Sequence, residues 1–317
     1  SLGMKFGLHF ALAEADAVSL VLQANPDWTS TENDNYFGAL SLCLSNQPAR
    51  NWIVAEALRM IDEYHVDWIL QDGENMVKEC VKTTHTHDPA DSNYANAVDG
   101  LNAVLAYIQQ ARPNVLWENC EDGGNMMTFN MVKNYVTSIT NDASGSLEAR
   151  SAVFGATYPF PPRYAERYMP ATDGLDSYAV NSYMFGGPWV LQNRLPALTS
   201  DQLGFLADQI RTYKEHRDEI AGAKVYHIQA PSASGTDAIQ SYNATTNSAV
   251  AVVTRADSDG QWYLFKPMGL QPGQLYAVRF ENSAEMYLST GDQLMTNGIL
   301  VPLPAPYSSE IVHIESR

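Results

Sequence analysis

Basic side chains are scarce in this sequence. Nineteen Lys and Arg stand against 36 Asp and Glu, a formal net charge of −17. Nucleic acids and anionic membranes both select a basic face, so neither is expected as a partner. Cysteine is scarcer still: Cys43, Cys80 and Cys120 are the only three. A small odd set cannot form the disulfide lattice of a stapled secreted domain. No CxxC and no HExxH occurs. No GxGxxG follows any expected strand, which removes the usual dinucleotide fingerprint. No apolar run reaches the ~18 residues that suggest a membrane-spanning helix. Charge as a whole is thin, at 17% of residues against 45% hydrophobic, and that balance excludes a disordered chain.

What is present is an alternation of short apolar runs with amphipathic ones. "MKFGLHFAL" (4–12) reads as a strand. "SNQPARNWIVAEALRMIDEYH" (45–65) reads as a helix, with Ser45 or Asn46 as its cap and Pro48 in its first turn. Trp52, Ala55 and Leu58 (or Ile53, Ala57, Met60 and Ile61) recur near its 3.6 period. Strands are predicted again at "VDWILQD", "NVLWENC" (114–120) and "VTSITND" (136–142). Helices are predicted at "YANAVDGLNAVLAYIQQARP", in "NMMTFNMVKNY" and at "LEARSAVFGATYP". From 165 to 191 the pattern fits strand, short helix, strand. "LTSDQLGFLADQIRTYKEHRDEI" is a long helix with Thr199 and Gln202 at capping-box spacing.

Such alternation over about 220 residues implies parallel strands joined by crossover helices. Several of these strands end in polar residues: Asp72, then Glu118, Asn119 and Cys120, then Asn141 and Asp142. In a (β/α) barrel the C-terminal strand ends surround the active site. An open doubly wound sheet places residues there too. After His227, "APSASGTDAIQSYNATTNSA" reads as a linker. Five apolar runs divided by turn signals then predict an antiparallel β domain of roughly 80 residues.

Asp72 and Asp142 come from different strands. Facing one cavity, they have the makings of a nucleophile and an acid/base for glycoside cleavage, which in a retaining mechanism stand about 5–5.5 Å apart. The plainer reading is that each strand-end Asp caps the turn after it. His85, His87 and Asp88 in "TTHTHDP" carry metal-ligating atoms, but neighbouring loop residues alone rarely converge, so a solvated loop is expected. Glu118 is read either as a sugar ligand or as an ion-pair partner of Arg112 or Lys133. Glu121 and Asp122 are read as solvated loop acids, and Trp189 as a sugar platform or a packed tryptophan.

Taken in order, the segments resemble one family. "SLGMKFGLHFAL", "LSNQPARNWIVAEALRMIDEYHVDWILQD", "ARPNVLWENCEDGGNMM", "TSITNDASGSLEARSAVFG", "YMFGGPWVL" and "LTSDQLGFLADQIRTYKEHRDEI" are similar to consecutive segments of the melibiase-type α-galactosidases of glycoside hydrolase family 36. The resemblance implies an α/β fold: a (β/α)8 TIM-type barrel, residues 1–228, then an antiparallel β-sandwich, residues 229–317. It implies a retaining hydrolase of terminal α-galactosides, with Asp72 as nucleophile and Asp142 as acid/base. It places Cys120 and Gly123, with Asn119 and Gly124 beside them, in the loop that contacts the sugar. Gln71, next to the nucleophile, is a candidate substrate-binding residue, and His9 is a further candidate sugar donor or else a packed histidine. No metal or organic cofactor is implied. The expected partner is an oligosaccharide or other glycoside.

The sequence departs from the family at several positions. Leu70-Gln71 replaces its Lys-Trp, His9 and Ala11 replace a Trp and a Glu, and "NDASG" keeps one of three aspartates. These changes bear on sugar choice, so an α-N-acetylgalactosaminide, transfer to another sugar, or an inactive carbohydrate-binding relative stand as alternatives. The opening residues already read as a strand, and the family's first two barrel strands would precede Ser1. The chain is therefore expected to hold about six barrel strands, with the exposed edge covered by a missing N-terminal segment or by a homo-oligomeric contact.

Overall fold

Every strand from Gly7 to Ile139 that lies in the parallel sheet is three or four residues long. The computed structural model describes residues 2–31, 38–73, 79–87, 94–120, 123–142, 145–257, 260–283 and 285–317, with backbone alone for 94–98. They divide into two units, Ser1–Ile139 and Thr140–Arg317.

The first unit runs β1 (Gly7–Phe10), β2 (Glu14–Asp16), α1 (Leu20–Ala24), β3 (Ala39–Ser41), α2 (Gln47–Tyr64), β4 (Trp68–Gln71), α3 (Tyr94–Ala111), β5 (Leu116–Asn119), α4 (Phe129–Val132) and β6 (Thr137–Ile139). Strands β1, β4, β5 and β6 pair in parallel in that order. Helix α2 starts where expected: the Asn46 side chain accepts from Ala49 N–H, and Pro48 sits in the first turn, where its missing N–H costs nothing. Its buried stripe is Ala49, Ile53, Ala57 and Ile61, one residue every four. That stripe packs with Ile69, Trp117, Leu101, Leu105 and Ile108 into the core of this unit. The short antiparallel pair of β2 and β3 was not legible in the sequence.

The second unit runs α5 (Ser146–Ala156), β7 (Ala165–Met169), α6 (Ser177–Asn181), β8 (Trp189–Leu191), α7 (Ser200–Ala221), β9 (Lys224–Gln229), β10 (Thr236–Asn243), β11 (Ser248–Arg255), β12 (Trp262–Phe265), β13 (Leu275–Phe280), β14 (Met286–Thr290), α8 (Gly291–Asn297), β15 (Ile299–Pro302) and β16 (Ser308–Ser316). Strands β7 and β8 pair in parallel, which brings the described parallel strands to the expected six, four in the first unit and two in the second. The capping box of Thr199 and Gln202 forms as its spacing predicts.

The remaining strands form an antiparallel sheet in the order β14-β13-β16-β11-β10-β9, with β12 and β15 as a separate two-stranded ribbon. The linker reading of the segment after His227 is corrected here. Thr236–Asn243 is β10, paired on both sides, and its small polar side chains are held by the ladder. Strand β11 shows why. Ala249, Ala251 and Val253 face the core shared with Phe265, Tyr276 and Ile299. Val250 and Val252, on the opposite pleat, face a second core with Val153, Val180 and Ile220. A strand covered on both faces reads as one apolar run, and its neighbours can be short on apolar residues without being loops. No described helix is long and apolar enough to cross a membrane.

Candidate active site

The parallel register sets one row across the strand ends: Phe10, Gln71, Asn119 and Ser138 are successive neighbours. Asp72 and Cys120 come one residue later, at the C-terminal edge, where barrel enzymes keep their chemistry. Backbone bonds fix both. Asp72 N–H donates to Phe10 C=O at 3.1 Å and Cys120 N–H to Gln71 C=O at 2.8 Å.

Asp72 is held from three directions. His9 pairs in register with Leu70, two residues before Asp72, so the two side chains share a pleat face. His9 Nε2 stands 2.8 Å from Asp72 Oδ2. The Gly73 N–H donates to Asp72 Oδ1 at 2.9 Å, and the Cys120 thiol also bonds the carboxylate. Burial pushes this carboxyl upward, but the bonds from His9, Gly73 and Cys120 outweigh it, so Asp72 sits below its ordinary value. The same pair raises His9, chiefly through its hydrogen bond to Asp72. The result is a half-buried carboxylate kept ionised beside an exposed imidazole, a form suited to nucleophilic attack.

The neighbouring candidates take other places. Gln71 is wholly buried. Its Oε1 accepts from Leu12 N–H at 3.1 Å, and its Nε2 donates to Asp72 C=O at 2.8 Å. The side chain is thus engaged with the backbone on both sides of the acid. Asn119 is also wholly buried, donating to Ser138 Oγ at 2.9 Å, while its Oδ1 has no hydrogen-bond partner among the described residues. Gly123 and Gly124 adopt φ of 59° and 90°, a left-handed turn that glycine enters without strain. Gly124 N–H closes this turn on Cys120 C=O at 2.7 Å. Glu121 and Asp122 lie outside the described residues.

Asp142 lies in the second unit and is exposed. Tyr168 O–H reaches its backbone carbonyl at 2.7 Å and its Oδ1 at 3.3 Å. Trp189 packs edge-on against Tyr213, with centroids 5.8 Å apart. Glu118 is buried and accepts from Trp68 Nε1 at 2.7 Å. Arg112, offered as its partner, instead pairs with Asp62. A cavity of about 630 Å³ lies between α2 and α3 against Arg50, Val54 and Tyr107. That is the helix layer, away from the strand ends that carry Asp72.

A second cluster was missed. The expectation of a solvated loop at His85 and His87 is corrected: both imidazoles meet the buried thiols of Cys43 and Cys80, and the four ligating atoms lie within 4.8 Å of one another. Asp88 lies outside the described residues. Cys43 precedes the other three by 37 positions or more, so no compact spacing announces the group. The signal available was that one of only three cysteines, Cys80, stands five residues before a His-x-His.

The Melibiase family model matches residues 1–222. α-Galactosidase 2 of Pediococcus pentosaceus is 22% identical over 98% of this chain and 44% of its own length. The α-galactosidase of Escherichia coli is 26% identical over 51% of this chain and 23% of its own length. Among solved structures, the α-galactosidase of Lactobacillus brevis superposes with a TM-score of 0.85 at 21% identity, covering 99% of this chain and 45% of that one. A family 36 α-galactosidase variant of Geobacillus stearothermophilus, in complex with raffinose, gives 0.88 at 17% identity over 99% and 45%. The fold is therefore that of a partial (β/α)8 barrel followed by an antiparallel β domain, and the chain spans less than half the length of these relatives. With the family model covering most of the sequence, the chain belongs to the Melibiase family, glycoside hydrolase family 36.

Proposed function

We propose that this chain serves a retaining exo-α-glycosidase that hydrolyses terminal α-linked galactose-type sugars, with Asp72 as the nucleophile. One observation carries the reading: a half-buried carboxylate at the C-terminal end of a parallel strand, held ionised by His9, Gly73 and Cys120. Asp72 attacks the anomeric carbon, and the aglycone leaves with a proton from the acid/base. Water, deprotonated by that same residue, then releases the sugar with retained configuration. The acid/base role is assigned to Asp142 on family resemblance. Gln71 acts as a positioning residue, because its amide ties the Asp72 carbonyl to Leu12. Cys120, Gly123 and Gly124 shape the loop beside the sugar. His9 is close enough to both Asp72 and solvent to donate to a sugar hydroxyl.

Where the family carries Lys-Trp, this chain has Leu70-Gln71, and this substitution favours keeping an α-N-acetylgalactosaminide as the second substrate. The full-length gene product should be assayed on aryl α-galactoside and aryl α-N-acetylgalactosaminide. Asp72→Asn should abolish turnover of both. Asp142→Ala should spare activated aryl substrates relative to raffinose, because a good leaving group needs little protonation. Activity surviving Asp72→Asn overturns the nucleophile assignment, and binding without turnover by the parent marks an inactive relative.

A further inference from the structure

We propose that Cys43, Cys80, His85 and His87 form a structural zinc site in the first unit, apart from the Asp72 chemistry. Two thiols and two imidazoles are the donor set of a closed tetrahedral zinc centre. Zn–S bonds near 2.3 Å and Zn–N bonds near 2.0–2.1 Å give tetrahedral edges of roughly 3.3 to 3.8 Å. The separations match that scale: Cys43 Sγ lies 3.1 Å from His85 Nε2 and 3.4 Å from His87 Nε2, and Cys80 Sγ lies 3.8 Å from His85 Nε2. Both imidazoles turn the same nitrogen, Nε2, towards sulfur. An apolar pocket for two inert cysteines would have no reason to do this.

The surroundings support a built site. Cys43 and Cys80 are 4% and 1% exposed, and both histidines are half-buried. The far nitrogen of His85, Nδ1, stands 3.4 Å from both Thr84 Oγ1 and Asn46 Nδ2, polar contacts that orient the ring with Nε2 towards the thiols. The two chain segments are held in place independently of the cluster. Cys43 N–H donates to Trp28 C=O at 2.7 Å, and Val81 N–H donates to Thr31 Oγ1 at 2.9 Å. Lys82 Nζ reaches Thr29 Oγ1 at 3.1 Å.

Four protein donors fill the tetrahedron and leave no position for substrate or water, so the role is structural. Binding releases the two thiol protons to solvent and leaves Zn²⁺ with two thiolates and two neutral imidazoles, a neutral centre. The ion clamps residues 80–87, which follow Asp72 in the chain, to the turn that leads into α2.

The test uses tag-free protein produced with zinc in the medium. Elemental analysis should find about one zinc per chain, falling at least tenfold in Cys43→Ser and in His87→Ala. As a check that does not depend on the variants folding, the parent stripped by chelation should take up one Co²⁺. It should then show the visible bands of a tetrahedral thiolate site and the loss of two alkylatable thiols. Chelation should also lower the melting temperature by about 5 °C or more, reversibly on adding zinc. Substoichiometric zinc together with no tetrahedral cobalt spectrum overturns the proposal. So does a Cys43–Cys80 disulfide in the native protein, iron in place of zinc, or stoichiometric zinc that survives both substitutions.

Discussion

Replacing Gln71 by Leu tests whether this buried amide organises the strand end that carries Asp72. The volume is nearly kept, so no large cavity forms. What is lost is polar pairing on both sides of the side chain. Leu12 N–H, now bonded at 3.1 Å in a fully buried setting, loses its acceptor. Stranding a buried donor costs about 1–3 kcal/mol. The Asp72 carbonyl, bonded at 2.8 Å and partly open to water, loses a donor that solvent can partly replace, about 0.5–1 kcal/mol. Together Gln71→Leu should destabilise the protein by about 2–4 kcal/mol. Gln71→Glu keeps an acceptor for Leu12 but loses the donor to Asp72, and it buries a charge. Urea unfolding followed by tryptophan fluorescence measures both, with Trp117 in the core of the same unit as a reporter. On the proposed reading, in which Gln71 positions the nucleophile, Gln71→Leu should lower kcat in the full-length protein with little change in KM. A stability within 0.5 kcal/mol of the parent, or a rise in KM alone, would refute the argument and return Gln71 to the list of sugar ligands.

Acid should weaken the second unit through Glu281. His313 Nε2 at 2.9 Å, opposed by burial and helped by Thr212 and Arg279, pulls its carboxyl to about 2 from an ordinary 4.5. A lowered folded value stabilises the native state above pH 4.5, and this contribution is lost as pH falls towards 2. Allowing for partial exposure it amounts to about 1–2 kcal/mol, and Glu281→Gln should flatten the urea midpoint between pH 5 and 2.5. Burial, then the neighbouring His313, pushes His216 down to about 4, so it is neutral at pH 7. Unfolded His216 takes its proton near 6.5, so stability should also decline from pH 6.5 towards 4, and His216→Leu should remove that slope. Arg167 is buried and donates to the carbonyls of Ala165, Tyr183, Gly187 and Pro188. Arg167→Met leaves the Tyr183 carbonyl without its donor, while the Ala165, Gly187 and Pro188 carbonyls keep Gly187 N–H, Tyr213 O–H and the backbone Arg167 N–H, so it should cost about 1–3 kcal/mol in thermal or urea unfolding, with Arg167→Lys recovering only part of it.

Much of the fold could be read from local pattern. The stripe on α2, its Asn46 cap, the capping box of α7 and the strand before Asp72 are all short-range signals, and all appear where their spacing places them. Strand β10 failed because its sequence is small and polar, and it is a strand only because β9 and β11 complete its ladder. The position of Asp72 at a strand end was equally legible, but its state was not. His9 lies 63 residues away in sequence and reaches Asp72 only because β1 and β4 pair side by side. Gln71 looked like a neighbour free to meet a sugar, and only the packing shows its amide bonded to backbone.

By itself the sequence determined the α/β class, the acidic surface that disfavours nucleic acid, the candidate acid at the end of β4 and the family to which these segments are similar. Those properties follow from composition and from periods of two and 3.6 residues, which each stretch of chain carries alone. Tertiary structure alone decided which distant groups touch: the imidazole that holds Asp72 ionised, the burial of Gln71, and the meeting of Cys43 with Cys80, His85 and His87. Such meetings depend on strand register and loop path, and the free energy that fixes them is shared across the whole core.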